Sequence, residues 1–253
     1  GISDRFSERE LASGKTDERY FYTAEDCGMV FRATIGGAKT SKNTLFTRTE
    51  LREMLRRGNT DIGTRGEGDD PGKNNWFFSS APEETQKKAG AVDGTLRATL
   101  AINHVTTTGD NIDVGQVVIG QIHAAKDEPA RLYYQKFPGS RRGSIYVAHE
   151  PSGGDDIFVD LLGSKSSTPI DPPDGIALDE KLSYDIRAEG NLLTVTISSA
   201  GEVRARETID MSNSGYDVAD DFMYFKAGVY NQNLSGDPDD SVQATFYELE
   251  NIH

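Results

Sequence analysis

Arg48-Thr-Glu-Leu-Arg52, Gln121-Ile-His123 and Tyr224-Phe-Lys-Ala-Gly-Val-Tyr-Asn-Gln232 decide how this chain is read. In a β-strand alternate side chains share a face, so each segment sorts into two sets. Thr49, Leu51, Val118, Ile122, Phe225, Ala227 and Val229 form the set that a β-sandwich buries. Arg48, Glu50, Arg52, Gln121, His123, Tyr224, Lys226, Tyr230 and Gln232 form the other. A solvated sheet face mixes Thr, Ser, Lys and Glu. Two guanidiniums, an imidazole, a lysine and two phenols around one acid predict instead a site for an anionic sugar chain.

Working outward, short runs rich in β-branched and aromatic residues recur along the chain, separated by turns such as Gly109-Asp-Asn111 and Pro138-Gly139. About fourteen such runs and almost no helical period predict an all-β fold, a jelly-roll sandwich of two antiparallel sheets with a concave cleft. Ser80–Lys88 begins with a cap residue and an early proline, which predicts one or two helical turns. Glu50–Arg57 reads equally as strand or helix, since Leu51, Met54 and Leu55 also have helical spacing. Residues 58–75 are polar and glycine-rich, and loops of that length are often lids.

The 253 residues contain no linker-like stretch, so one domain over 1–253 is expected, with 1–19 an irregular N-terminal segment. Cys27 is the only cysteine, so no intramolecular disulfide forms; with no His/Asp pattern near it, it reads as inert. No run approaches the ~18 apolar residues of a membrane span. Gly1 reads as a processed or trimmed start, without a signal peptide. The net charge of −14 argues against nucleic acid. Locally the balance reverses: residues 45–57 carry four arginines against Glu50 and Glu53. The acids gather elsewhere, as in Glu67–Asp70 and Asp237–Asp240, and read as solvating loops; none has the spacing of a 12-residue calcium loop, which leaves a structural Ca²⁺ the less favoured reading.

At its three segments the chain resembles the polysaccharide lyase family 7 alginate lyases, which carry R-[ST]-E-L-R, Q-[IV]-H and YFKAGxYxQ in this order. The resemblance extends to Tyr20-Phe-Tyr-Thr-Ala24, Asn74-Asn-Trp-Phe-Phe-Ser-Ser-Ala81 and Asp93-Gly-Thr-Leu-Arg-Ala-Thr-Leu100. It implies a jelly roll that depolymerises alginate by β-elimination, secreted and monomeric, with no organic cofactor and no catalytic metal. Neither a nucleic acid nor a membrane is expected as partner. The Q-I-H form is associated in the family with guluronate-containing blocks.

β-Elimination removes the C5 proton of a uronate and expels the glycosidic oxygen from C4. The carboxylate must first be neutralised, a task for Arg48 and Gln121. His123 is expected as the base for guluronate and Tyr230 as the acid on O4. For mannuronate, whose C5 proton lies on the other side of the ring, Tyr230 would do both, with Lys226 and Arg48 favouring its phenolate. Glu50 is expected to orient the forks of Arg48 and Arg52. Arg52, Lys226 and Gln232 are assigned to carboxylates of neighbouring sugars, with Tyr224 beside them.

Taken singly, each segment has a bland reading: a salt-bridged strand face, a structural histidine, tyrosines packed at a sheet edge. Their occurrence together in family order favours the site. His104 and His149 read as surface or core histidines and His253 as a terminal residue. A non-catalytic uronan-binding module is the main alternative, along with a lyase for another polyuronate. A glycoside hydrolase needs two carboxylic acids across the bond, and these strands supply only Glu50.

Overall fold

The computed structural model describes residues 5–41, 44–66 and 72–253. Among them are sixteen strands and two short helices, α1 (Glu8–Ala12) and α2 (Glu83–Gln86). The strands are β1 (Phe21–Thr23), β2 (Met29–Thr34), β3 (Arg48–Arg52), β4 (Trp76–Phe77), β5 (Ala91–Val92), β6 (Gly94–His104), β7 (Gln116–His123) and β8 (Ala130–Gln135). There follow β9 (Arg142–His149), β10 (Ile157–Leu162), β11 (Ile176–Ala177), β12 (Lys181–Glu189), β13 (Leu192–Ser199), β14 (Glu202–Asp210), β15 (Tyr224–Asn231) and β16 (Ser241–Ile252).

Two antiparallel sheets make the predicted sandwich. The first runs β1-β2-β16-β6-β12-β13-β14 and the second β10-β9-β8-β7-β15-β3, with β11 added on β9. Phe31, Leu96, Leu100, Ile102, Leu132, Ile186, Phe225 and Phe246 fill the space between them, each contributing roughly 1.5–3 kcal/mol by burial. The second sheet carries all three deciding segments: β3 pairs with β15 and β15 with β7.

One expectation fails inside β7. Strict alternation puts Val118 in the core with Ile122, but Val118 packs against Tyr133, Tyr146, Ala148 and Tyr230 on the outer face. A bulge between Val118 and Gly120 inverts the phase. The core stabilises it from beneath: the Tyr184 hydroxyl donates to the Ile119 carbonyl at 3.0 Å. A Cβ on Gly120 would stand 2.6 Å from the Tyr184 hydroxyl oxygen. The opposing strand β15 has its own irregularity between Ala227 and Tyr230. Gly228 there has φ +141°, and a Cβ would lie 2.4 Å from the Thr49 carbonyl oxygen.

The N-terminal segment is not wholly irregular. Ser7 and Glu10 form a reciprocal capping box that starts α1. Glu8 then receives Arg56 Nε at 2.9 Å and Nη2 at 2.6 Å, so α1 braces the turn that follows β3. That turn settles Glu50–Arg57: strand to Arg52, then left-handed Arg57 and Gly58. The helical turn expected at 80–88 is α2. Of the 58–75 loop, residues 67–71, with the acidic run Glu67–Asp70, lie outside the described residues. No helix among the described residues is long and apolar enough to cross a membrane.

Candidate active site

Strand register brings eight of the nine expected residues onto three adjacent strands. Lys226 lies opposite both Arg52 on β3 and Gln121 on β7, Tyr230 opposite Arg48, and Tyr224 opposite His123. Gln232 follows directly on β15. They share the outer face of the second sheet.

Glu50 is the hub. Its Oε2 takes Lys226 Nζ at 2.5 Å and Arg48 Nη1 at 3.6 Å, and its Oε1 accepts from Gln121 Nε2. The side chain is only 3% exposed. Burial opposes its charge, but Lys226 and Arg48 outweigh burial and hold the carboxyl below its ordinary range. Glu50 therefore orients Arg48, as expected, but not Arg52, which is not among its partners. Arg52 Nη2 donates instead to Thr64 O at 2.6 Å and Asn75 Oδ1 at 2.9 Å, tying the 58–75 loop to the site. Lys226, expected to reach a neighbouring sugar, is held against Glu50. Gln232 is buried, accepting from the Tyr133 hydroxyl at 3.3 Å and donating to its neighbour's carbonyl.

Two stacks build the floor. The Arg48 guanidinium lies 3.5 Å from the Tyr230 ring centroid, with Phe46 edge-on to that ring. Arg52 lies 3.8 Å from the Tyr224 ring, and Tyr224 is stacked on His123 at 4.9 Å and 13°. Cation–π contacts of this closeness fix the guanidinium planes. Arg48 Nε, Arg52 Nε and Gln121 Oε1 are buried without a protein partner, and such atoms are costly unless something completes their bonds.

His123 is set by its two neighbours. Nδ1 faces the Ala124 carbonyl at 2.5 Å, and a carbonyl can only accept, so Nδ1 carries the proton. Nε2 stands 3.2 Å from Glu128 Oε1. Burial, then the charge of Lys226, pushes the imidazole down to about 4, so it is neutral near pH 7. Burial raises the Tyr230 phenol and outweighs Arg48, which acts the other way. The phenolate expected from neighbouring cations is thus disfavoured.

Sequence reading missed Glu128, and no periodicity could have marked it, because it sits in the loop just before β8. Arg131 on β8 was missed too; it pairs with Asp156 and, at 3.4 Å, with Glu150. His149 is a core histidine, with Nδ1 donating to Pro129 O and Nε2 against Ser214 Oγ, and so pins the same loop. Among the described residues no group of three or more His, Cys, Asp or Glu side chains converges as a metal set. A cavity of about 660 Å³ lies behind β3 under α1, lined by Leu11, Leu51, Phe225 and Leu249.

A family model described as alginate lyase matches residues 1–253. A Klebsiella pneumoniae protein named alginate lyase is 53% identical over 262 residues, taking in 100% of this chain and 84% of that protein. A crystal structure of the alginate lyase from Klebsiella pneumoniae superposes with a TM-score of 0.94 at 53% identity, over 99% of this chain and 90% of that one. An alginate lyase structure from Pseudomonas aeruginosa gives 0.68 at 26% identity, over 97% and 90%. An exolytic family 7 alginate lyase from Zobellia galactanivorans gives 0.67 at 23% over 94% and 88%, a likeness of fold.

Proposed function

This chain belongs to the alginate lyase family and is a polysaccharide lyase; from that premise we propose that it cuts the 1,4-linkage of alginate endolytically by β-elimination, accepting guluronate. The observation that carries the reading is the pair of proton carriers on one sheet face. His123 has a neutral ring with a lone pair at Nε2, and Tyr230 is a protonated phenol.

In this reading the uronate carboxylate enters a site with three cations, Arg48, Arg52 and Lys226, against two acids, Glu50 and Glu128. The substrate supplies the missing negative charge. Arg48 and Arg52 each keep an Nε–H without a protein partner among the described residues, which leaves a donor on each guanidinium. Gln121 gives one N–H to Glu50, which leaves its second for the substrate. As C5 loses its proton to His123 Nε2, charge builds on the carboxylate oxygens, and these fixed donors stabilise it without reorganising. Tyr230 then protonates O4 as the C4–O4 bond breaks, leaving a C4–C5 double bond in the new non-reducing end.

Guluronate is favoured because mannuronate would require Tyr230 to act as base as well, and a phenol raised by burial is a poor base near neutral pH. Endolytic action is supported by the outer face continuing from the site across β8, β9 and β10, which gives room for more sugars. Because the substrate is a polymer, we propose that the reaction runs outside the cytoplasm, in a secreted monomer.

The test is digestion of polyguluronate and polymannuronate separately, following unsaturated uronate by absorbance and sizing the products. His123→Asn should lose guluronate cleavage far more than mannuronate cleavage. Equal losses on both polymers would remove His123 as the guluronate base, and early release of monomer alone would remove the endolytic mode.

A further inference from the structure

The Thr64 carbonyl joins the cleft to the N-terminal helix. It accepts from Arg52 Nη2 at 2.6 Å and from Asn74 Nδ2 at 3.4 Å. Asn74 Oδ1 accepts in turn from the Arg56 backbone N–H at 3.0 Å. Two residues before Thr64, the Ile62 carbonyl accepts from Arg56 Nη1 at 2.7 Å. Arg56 thus grips the 58–66 stretch through both its side chain and its backbone. Its guanidinium is held from the far side by α1. Nε and Nη2 meet the two oxygens of Glu8, and Glu8 Oε1 also takes the Gly58 N–H at 3.2 Å. The Arg56 and Glu8 side chains are 13% and 18% exposed, so this two-pronged pair is sheltered as an ordinary surface ion pair is not.

Packing does not hold α1 in place. None of its residues is buried, and the cavity of about 660 Å³ lies between it and Leu51 and Phe225. The Glu8 carboxylate is what joins it to the turn after β3. At the cleft end, the donors of Arg52 are divided. Nη2 is committed to Thr64 and to Asn75 Oδ1, and the guanidinium face lies on the Tyr224 ring. Nε–H is left, buried and without a protein partner. The plane set by the committed contacts decides where Nε–H points, and a Thr64 carbonyl free to drift would swing it.

Resting on Arg52 as a donor to a sugar carboxylate, we propose that Glu8 is a positioning residue for substrate binding: through Arg56 it fixes the 58–66 stretch and so aims Arg52 Nε at the carboxylate of a uronate beside the one that is cut. Glu8 bonds to Arg56 and Gly58, and takes no part in proton transfer. The sugar served by Arg52 does not react, so its contact is the same before and during bond breaking. The clasp therefore acts on affinity and leaves the chemical step alone.

The experiment is a cycle of Glu8→Gln, Arg52→Ala and the double variant on polyguluronate, with kcat and KM read separately and melting curves alongside. A glutamine amide offers one oxygen to two guanidinium N–H groups and turns its own N–H against the other. Glu8→Gln should raise KM roughly three- to tenfold, the size of one weakened hydrogen bond, and leave kcat within about twofold. Arg52→Ala should raise KM at least as much. Adding Glu8→Gln to it should change KM no further, because the residue being aimed is gone. Arg56→Lys keeps the charge but puts one nitrogen in place of a fork, so it should raise KM as Glu8→Gln does; if Glu8→Gln does not fold, this variant decides in its place. A lower melting temperature with KM unmoved makes α1 a brace only and overturns the proposal. So does a rise in KM of equal size when Glu8→Gln is added to Arg52→Ala. Arg52→Ala also separates the two assignments: a wild-type KM there removes Arg52 as a sugar ligand and the clasp with it, whereas a raised KM there beside an unmoved Glu8→Gln removes only the clasp.

Discussion

Lys226 Nζ on β15 and Glu50 Oε2 on β3 stand 2.5 Å apart, side by side with Gln121 and Arg48, in a spot where the glutamate is 3% and the lysine 11% exposed. Neither charge has an alternative partner in water. Removing one side of a buried pair typically costs ~3–5 kcal/mol, because the other charge is left uncompensated. Glu50→Gln or Lys226→Met alone should therefore lower the melting temperature by roughly 10 °C. The double substitution should cost much less than the sum. Strictly additive losses in a double-mutant cycle would mean the two charges do not depend on each other.

Tyr230→Phe tests the acid. The phenyl ring keeps its place under Arg48 and against Phe46, so folding should be unchanged. Only the proton on the leaving-group side is lost, and such groups are worth ~10²–10⁴-fold in rate. The fall should appear in kcat more than in KM. Turnover close to wild type with an unchanged melting curve would exclude the phenol as proton carrier.

Alternation and order in three short segments were enough to place the sheet and nine residues on one face, because local sequence dictates which side of a strand a residue occupies. It failed at Val118, where a bulge set by Tyr184 from the opposite sheet inverts the phase, a tertiary cause invisible along β7. It also failed for partners: Arg52 reaches Thr64 and Asn75, and Lys226 is taken by Glu50, because a fork of donors finds whichever acceptor folding brings nearest. Helix α1 was missed, the first nineteen residues being read as irregular, although Ser7-Glu-Arg-Glu10 spells a capping box. Glu128 was not, being a loop acid defined only by what folds against it.

His253, which reads in sequence as a mere end, is a clasp. Its Nε2 is 2.7 Å from Glu53 Oε1 and its Nδ1 2.5 Å from the Asp93 carbonyl, so both nitrogens must donate and the ring is an imidazolium. Burial disfavours that charge, but Glu53 and Asp93 outweigh it and raise the histidine above its usual ~6.5. Stability from this contact is thus fully present below ~6.5 and lost as pH rises through the folded value. His123 has the opposite sign: its folded value near 4 costs stability as pH falls below ~6.5. The wild type should lose more melting temperature between pH 6.5 and 9 than His253→Gln does. Parallel curves across that range would show that the imidazolium contributes nothing.

Salt should raise activity before it lowers it. The chain carries −14 overall, so a polyanionic substrate is repelled at long range. Close in, Arg48, Arg52 and Lys226 outnumber Glu50 and Glu128 and attract it. Between 0.01 M and 0.15 M salt the screening length shrinks from ~30 Å to ~8 Å, which removes distant repulsion while contacts of a few ångströms persist. The site cations are also buried against protein, so they are screened less than surface charges. Further salt then weakens the direct contacts. The gain should lie in kcat/KM at subsaturating alginate and leave kcat almost unchanged, because charge at a distance alters encounter and not the breaking of the C5–H bond. Rates measured over this range at constant pH decide it: a steady decline from the lowest salt would mean that the positive site face, and not the net charge, governs how the polymer approaches.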